Sequence, residues 1–324
     1  MVTGVLEKAV KITNEKEVIQ IMKKILITGG TTFVSKFTAK YFADCGYDVY
    51  VLNRGTKEQV PGVTLIKCDR HELGDVVRDY SFDAVLDITS YNADDINALL
   101  DGLGSFGTYI FISSSAVYPE TETQPFKEKS ALAVNKYWGR YGTDKIAAEK
   151  ALLDRVPDAY ILRPPYLYGP MNNLYREAFI FDCAKQDRKF YLPGDGSMKL
   201  QFFHIEDLCK LMEIIINTKP EDHILNVGNK DAVTIKEWVE ACYASLGKTP
   251  EFVNVTADIE QRLYFSFYNY EYYLDVSKML KLLPETIDLK EGLLECAAWY
   301  EDNESEVRKK PMIEYIDNNL SQSI

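Results

Sequence analysis

Residues 23–55, KKILITGGTTFVSKFTAKYFADCGYDVYVLNRG, constrain this chain more than any other stretch. Ile25, Leu26 and Ile27 form the short apolar run expected of a strand buried on both faces of a parallel sheet. Gly29-Gly30 interrupts it. From Phe33 the apolar positions Phe33, Val34, Phe37, Tyr41 and Phe42 fall at three- and four-residue steps, which predicts a helix with one face on a sheet. Cys45-Gly46 ends that helix, and Asp48 to Leu52 supplies a second strand. Strand, glycine turn and helix in this order direct backbone N–H groups and the positive helix end at one point, which suits a pyrophosphate. By itself a glycine pair is equally an ordinary strand–helix corner, so the rest of the chain has to decide.

The alternation continues. Val63 to Ile66, Asp83 to Asp87, Thr108 to Ile112 and Ala159 to Leu162 read as further strands. Asn92 to Leu103 carries Ile96, Leu99, Leu100 and Leu103 on one face and reads as an amphipathic helix. Residues 119–136 are polar and irregular, a surface loop, and Tyr137 to Asp154 reads as a helix with Tyr141, Lys145 and Glu149 on one face. Strands alternating with helices at this spacing predict an α/β fold built on a Rossmann-like, doubly wound parallel sheet. Pro164, Pro165 and Pro170 end the regular alternation and mark the boundary to a smaller, mixed α/β C-terminal lobe. The expected organisation is an extension over 1–21, a dinucleotide-binding domain over 22–166 to which a strand at 223–228 returns, a substrate lobe over 167–222 and 229–310, and a tail over 311–324. Within that lobe Glu177 to Lys185, Ile205 to Asn217 and Leu289 to Tyr300 read as helices, and Thr234 to Glu237 as a capping box opening another. The charged run from Glu301 reads as a frayed end.

Charge narrows the partners. Across 324 residues, 49 acidic side chains stand against 37 basic ones, a net charge of −12 that argues against a nucleic-acid surface. Three histidines and six scattered cysteines offer no metal-ligand spacing, so no metal is assigned, and reduced thiols in a cytoplasmic protein are expected. No apolar run approaches the ~18 residues of a membrane span.

Asn53-Arg54 stands at the tip of the second strand, where the adenosine ribose of a dinucleotide would lie. An acid there accepts hydrogen bonds from a 2′-hydroxyl, whereas an arginine pairs with a 2′-phosphate. Arg54 therefore leans the choice between NAD and NADP towards NADP, against the plain alternative of a solvated loop arginine. Asp69, followed by Arg70, sits where a short polar side chain can meet an adenine edge; capping a helix near His71 accounts for Asp69 equally well. Catalytic chemistry concentrates in Ser114, Tyr141 and Lys145. A free tyrosine titrates at about pH 10. A lysine one helical turn on and an oxidised nicotinamide would both favour the phenolate, tuning Tyr141 as general acid/base. Ser114, ending the fifth strand, would hold the reacting oxygen. Tyr-x-x-x-Lys alone is a common surface pattern; it gains force from following the serine-ended strand and the glycine turn.

With these pieces in place the chain resembles the extended short-chain dehydrogenases/reductases of the NAD-dependent epimerase/dehydratase type. ITGGTTFVS, SSSAVY, YGTDK, LRPPYLYGP, PGDG, FFHIEDL and ILNVGN occur in family order over roughly residues 22–300. The resemblance implies NAD(P) in the first lobe, a small-molecule substrate, by default a nucleotide sugar, in the cleft against the second, and a homodimer built on paired helices. It matches Ser114, Tyr141 and Lys145 to the family's catalytic triad. Gly29, Gly30, Thr31, Thr32, Phe33, Val34 and Ser35 match its pyrophosphate turn, and Asp69 its adenine contact. It also implies cofactor contacts at Arg70, Thr89 and Pro164, and substrate contacts at Tyr91, Ser115, Tyr166 and Gln201.

The departures matter as much. Thr32 and Ser35 replace the second and third glycines of the family's G-x-x-G-x-x-G turn. Tyr166 and Leu200 stand where many nucleotide-sugar members carry an asparagine and an arginine. GGTTF, LNRG and LQFFHIEDL look like a divergent bacterial and plastid branch that includes a stem-loop RNA-binding protein. Two functional classes follow. One is an NAD(P)-dependent epimerase or reductase acting on a sugar hydroxyl; Ser115-Ala116, in place of the Asp-Glu of related dehydratases, argues against dehydration. The other is a non-catalytic NAD(P)-binding regulatory or RNA-binding protein. For it the aromatic run from Tyr264 to Tyr273 could stack bases, although core and pocket lining is the commoner use of such residues.

Overall fold

The central strands are apolar on both faces, and the structure, a computed structural model that describes residues 22–321, covers both faces accordingly. The extension expected over 1–21 lies outside the described residues. In chain order β1 (Lys24–Thr28), α1 (Phe33–Asp44), β2 (Asp48–Asn53), β3 (Val63–Lys67), β4 (Ser81–Asp87), α2 (Ala93–Gly102), β5 (Ser105–Ile112), α3 (Arg140–Arg155) and β6 (Tyr160–Arg163) form the alternating part. Then come β7 (Tyr166–Tyr168), α4 (Glu177–Lys185), β8 (Phe190–Pro193), β9 (Lys199–Leu200), β10 (Phe202–His204), α5 (Ile205–Thr218) and β11 (Ile224–Asn226). The chain continues through β12 (Val233–Thr234), α6 (Ile235–Ala244), β13 (Phe252–Val255), α7 (Ser277–Leu282), α8 (Leu289–Asn303) and α9 (Met312–Asn319).

Seven parallel strands make one sheet in the order β11-β6-β5-β4-β1-β2-β3. Alternation of side chains along each strand sorts the core into two layers. Ile25, Ile27, Ala84, Leu86, Ile110 and Ile112 share one layer with Phe42 of α1 and Leu208 and Met212 of α5. Leu26, Val85, Tyr109 and Phe111 face the other, against Ile96 and Leu99 of α2 and Ala148 and Leu152 of α3. Strand order reverses between β1 and β4, so the connections leaving their carboxyl ends diverge and open a crevice there. The sequence-predicted return of residues 223–228 is realised: β11 pairs with β6 at the far edge. Beyond β6 the chain forms three small pairs, β7–β10 and β8–β13 parallel and β9–β12 antiparallel.

Several expectations need correction. The helix expected from Tyr137 begins at Arg140. Asn135 prevents an earlier start: its side chain accepts from Tyr137 N, and its carbonyl accepts from Trp138 N and Gly139 N. The helix expected near His71 is a single tight turn, Arg70–Glu72. The polar loop over 119–136 is anchored rather than loose, because Phe126 is buried and stacks on Tyr118 while its backbone bonds Tyr273 and Asp275. Strands β7, β9, β12 and β13 escaped the sequence reading, since two to four residues are too few to show a period.

The largest correction concerns the end of the chain. Instead of fraying from Glu301, α8 runs to Asn303 and α9 follows, with Met312, Ile316 and Leu320 buried. Charge dominates the composition of this stretch, but its few apolar residues fall at four-residue steps and supply one buried stripe. Ile316→Ala should therefore lower the unfolding free energy by about 2–4 kcal/mol, measured by urea denaturation, whereas a frayed end would leave it unchanged.

Candidate active site

The crevice between β1 and β4 begins at the glycine turn. Gly29 and Gly30 both have φ of +96°, and a Cβ on either would meet side chains at under 3 Å: Ser35 and Thr89 for the first, Val51 for the second. No L-residue with a side chain fits this path. Thr32 caps α1 without a side-chain hydrogen bond, so the first N–H groups of the helix stay open to the crevice. Ser35, in the place of the third glycine, is buried and its hydroxyl donates to the Thr32 carbonyl at 3.0 Å. The substitution thus fills space beside Gly29 and stitches the turn to the helix. Asn53 reinforces the same corner, its amide donating to the Gly29 carbonyl at 2.6 Å while its oxygen accepts from Gly55 N.

The crevice widens into a cleft of about 770 Å³. Gly29, Thr31, Thr32, Phe33, Val34, Thr89, Tyr91, Ser114, Ser115, Tyr141, Lys145, Pro164 and Tyr166 all line it, so the topology gathers most of the residues singled out in the sequence. Helix α3 reaches it by pressing on the turn after β5: a Cβ at Gly142 would lie 2.3 Å from the Ala116 carbonyl oxygen. Lys145 is buried, and its Nζ donates to the carbonyls of Ser90 (2.7 Å) and Ile112 (2.8 Å). It also lies 5.2 Å from the centre of the Tyr91 ring. Burial pushes its ammonium down to about 8, against the pull of Asp87, Glu149 and Asp95. Tyr141 keeps 41% of its surface exposed, on the cleft. Desolvation raises its phenol, with Ser114 and Arg176 pulling the other way. The sequence predicts a lowered tyrosine; burial of the phenol outweighs Ser114 and Arg176 and reverses the direction.

Other expected residues stand elsewhere. Gln201 is buried outside the cleft lining, with its amide spent on Asn229 O and Leu274 N, and so clamps the backbone instead of meeting a substrate. Asp69 caps its turn through His71 N. Arg70 reaches across to β4's end, donating to Thr89 and to Ser90 Oγ. Arg54 is exposed and makes no ion pair among the described residues. The aromatic run is largely internal: Tyr264, Phe265, Phe267, Tyr270 and Tyr272 are buried. Tyr268 and Tyr272 line the cleft beside Tyr137 and Trp138. Arg176 and Arg308 also line it, and no local pattern in the sequence singled them out. Among the described residues, no helix is long and apolar enough to cross a membrane.

Comparison with known proteins agrees with this geometry. A sequence profile of the NAD dependent epimerase/dehydratase family matches residues 25–228. The chain is similar to the chloroplast stem-loop binding protein of 41 kDa b from Arabidopsis thaliana, 28% identical over 298 residues that cover 84% of this chain and 77% of that protein. It is 24% identical to UDP-glucose 4-epimerase from Corynebacterium glutamicum over 263 residues, 68% of this chain and 79% of the other. Among solved structures, UDP-glucuronic acid 4-epimerase from Bacillus cereus, in complex with UDP-glucuronic acid and NAD, superposes with a TM-score of 0.67 at 19% identity. That superposition covers 86% of this chain and 99% of the other, a likeness of fold.

The depressed Lys145 ammonium has a measurable consequence. Its ordinary value is 10.5, so between about 8 and 10.5 the unfolded chain binds the proton that the folded chain has released. Stability from this group therefore rises with pH through that window. Lys145→Met should remove the rise, so that the variant loses ground to the wild type in urea unfolding between about pH 8 and about pH 10. Identical pH dependence in the two proteins would contradict the buried, depressed lysine.

Proposed function

Because the chain belongs to the NAD dependent epimerase/dehydratase family, we propose that it is an NAD(P)-dependent enzyme that oxidises or reduces a sugar hydroxyl, as an epimerase or a reductase. The observation that carries this reading is the convergence of the bare glycine cradle, Ser114, Tyr141 and Lys145 on one cleft. The cradle fits a dinucleotide: its walls exclude a Cβ, and the open N–H groups of α1 suit a pyrophosphate. Residues Gly29 to Val34 would hold it, with Thr89 and Pro164 lining the path towards Tyr141. When bound, the dinucleotide accepts or returns a hydride.

The chain's own groups handle the proton and the position. Tyr141 Oη, as the phenolate, takes the hydroxyl proton in oxidation, and, as the phenol, gives it back in reduction. Ser114 faces that oxygen and holds the reacting group beside it. Lys145, fixed on two carbonyls, orients the floor of the site and supplies positive charge beneath it. Ser115 and Ala116 are buried and offer no acid/base pair, which supports redox chemistry over dehydration. In an epimerase the intermediate ketone would turn over within the cleft before the hydride returns to its other face. We take residues 22–166 with β11 as the cofactor domain and the rest of the second part, to about residue 310, as the substrate lobe. Similarity to a stem-loop binding protein keeps RNA binding as a second reading, but burial of most of the aromatic run favours a small molecule.

Tyr141→Phe should lower turnover about 100- to 10,000-fold while cofactor affinity, read by NAD(P)H fluorescence, stays unchanged; full activity in that variant would refute the mechanism. Arg54 is proposed to favour a 2′-phosphate, so Arg54→Asp should shift the NADP-to-NAD affinity ratio about tenfold towards NAD, checked by the same titration.

A further inference from the structure

In the sheet order the carboxyl ends of β1 and β2 lie between those of β4 and β3, so a contact from the turn after β3 to the turn after β4 has to cross them. Two adjacent residues make that crossing. Arg70 donates through Nη1 to Ser90 Oγ at 2.6 Å and through Nη2 to Thr89 Oγ1. Its guanidinium also stands 4.0 Å from the fully buried carboxylate of Asp87, and 13% of the side chain is exposed. His71 follows, with Nε2 3.1 Å from Asp95 Oδ1 in the first turn of α2. Asp69 turns its carboxylate onto His71 N, so the side chain expected at an adenine edge caps its own turn instead.

The cleft ends where this bridge begins. Thr89 belongs to its lining, whereas Asn53, Arg54, Asp69 and Arg70 do not. Those four positions mark the adenosine end of a dinucleotide laid along the crevice. The two sides of the bridge are unequally held. On the β4 side, Ile88 N and Thr89 N donate to Thr28 Oγ1, Ser90 N donates to Asp87 Oδ1, and the Ser90 carbonyl accepts from Lys145. On the β3 side stands a single turn of three residues, of which His71 and Glu72 are exposed. Opening therefore swings the 69–72 turn and leaves the floor under Lys145 in place.

We infer that Arg70 is a latch that closes the adenosine end of the crevice, so that a dinucleotide enters by displacing its guanidinium from Thr89 and Ser90. This rests on the reading of the glycine cradle as a dinucleotide site. The pyrophosphate and nicotinamide parts meet an open cleft, and the adenosine waits for the turn to swing. Arg70 closes on two neutral hydroxyls and stops 4.0 Å from the Asp87 carboxylate, beyond hydrogen-bond reach, so the closed state is one that a ligand can displace.

The test is stopped-flow fluorescence of NADPH binding to the full chain. In wild type the observed rate should level off as NADPH rises, because opening of the turn becomes limiting. Arg70→Ala should raise that ceiling about tenfold or remove it. Ser90→Ala, which keeps the arginine and deletes one of its acceptors, should move the ceiling the same way by a smaller factor. A wild-type rate that never levels off, or equal rates in the three proteins, overturns the latch. So does an arginine variant that loses NADPH affinity at an unchanged association rate, since Arg70 would then be a direct cofactor contact. Should none of the proteins bind NADPH, the proposed function falls and thiol labelling decides the latch alone. Cys68 Sγ donates to the carbonyls of Asp69 (3.2 Å) and Glu72 (3.5 Å), and apart from the exposed Cys45 the other four cysteines are buried. In a Cys45→Ser background, Arg70→Ala should speed maleimide labelling of Cys68 about tenfold at an unchanged urea midpoint, with Ser90→Ala shifting it in the same direction. Unchanged labelling in both variants overturns the latch.

Discussion

The buried pair of Glu149 and Arg163 is the interaction on which the site depends. Both side chains are almost fully enclosed, and they meet through two bonds, Nε to Oε1 at 2.9 Å and Nη2 to Oε2 at 2.5 Å. Glu149 lies one helical turn beyond Lys145 on α3, and Arg163 ends β6. The pair therefore fixes the rotation of α3 against the carboxyl ends of the sheet strands, and Tyr141 and Lys145 turn with it. Ser113 donates to Glu149 from the end of β5, and Arg163 donates onward to the Tyr118 hydroxyl and to the Glu128 carbonyl. Tyr118 in turn donates to Asn226 of β11, whose amide holds the Phe126 carbonyl. Burying two charges is costly, and such a pair holds only when its remaining lone pairs and protons are satisfied, as they are here. Removing one partner of a buried pair typically costs about 3–5 kcal/mol. The network spends that risk on geometry at the mouth of the cleft.

A second constraint is electrostatic. The chain is acidic overall, yet the cleft collects the helix end of α1, a buried lysine, and Arg176 and Arg308, which form no ion pair among the described residues. Positive potential focused in a concave, low-dielectric site draws anions that the rest of the surface repels. Backbone N–H groups at the glycine turn suit an anion, and Arg176 and Arg308 add positive charge elsewhere in the lining.

Much of this was legible without coordinates. The seven-strand sheet followed from apolar runs and helical periods, and even the return of 223–228 could be read from one apolar segment. Ser114, Tyr141 and Lys145 could be proposed together because their spacing places them at a strand end and along one helix face. Gln201, a substrate contact only by family resemblance, lies outside the cleft lining because its amide bonds the backbone of Asn229 and Leu274. Arg176 and Arg308 went unnoticed because they are 132 positions apart and meet only when the segment after α8 runs beside Asn173. The end of the chain was misread for a related reason, since charge hid a short apolar stripe that only a waiting surface could reveal.

Sequence by itself determined the alternating fold, the bare path at Gly29-Gly30 and the helix that carries Tyr141 and Lys145, because each is set by local sterics and periodicity. The tertiary structure decided which residues share the cleft, the upward drift of the Tyr141 phenol, the commitment of Lys145 to two carbonyls and the meeting of Arg176 and Arg308 in the lining. Those properties depend on desolvation and on distances between segments far apart in the chain, and neither quantity exists until the chain has folded.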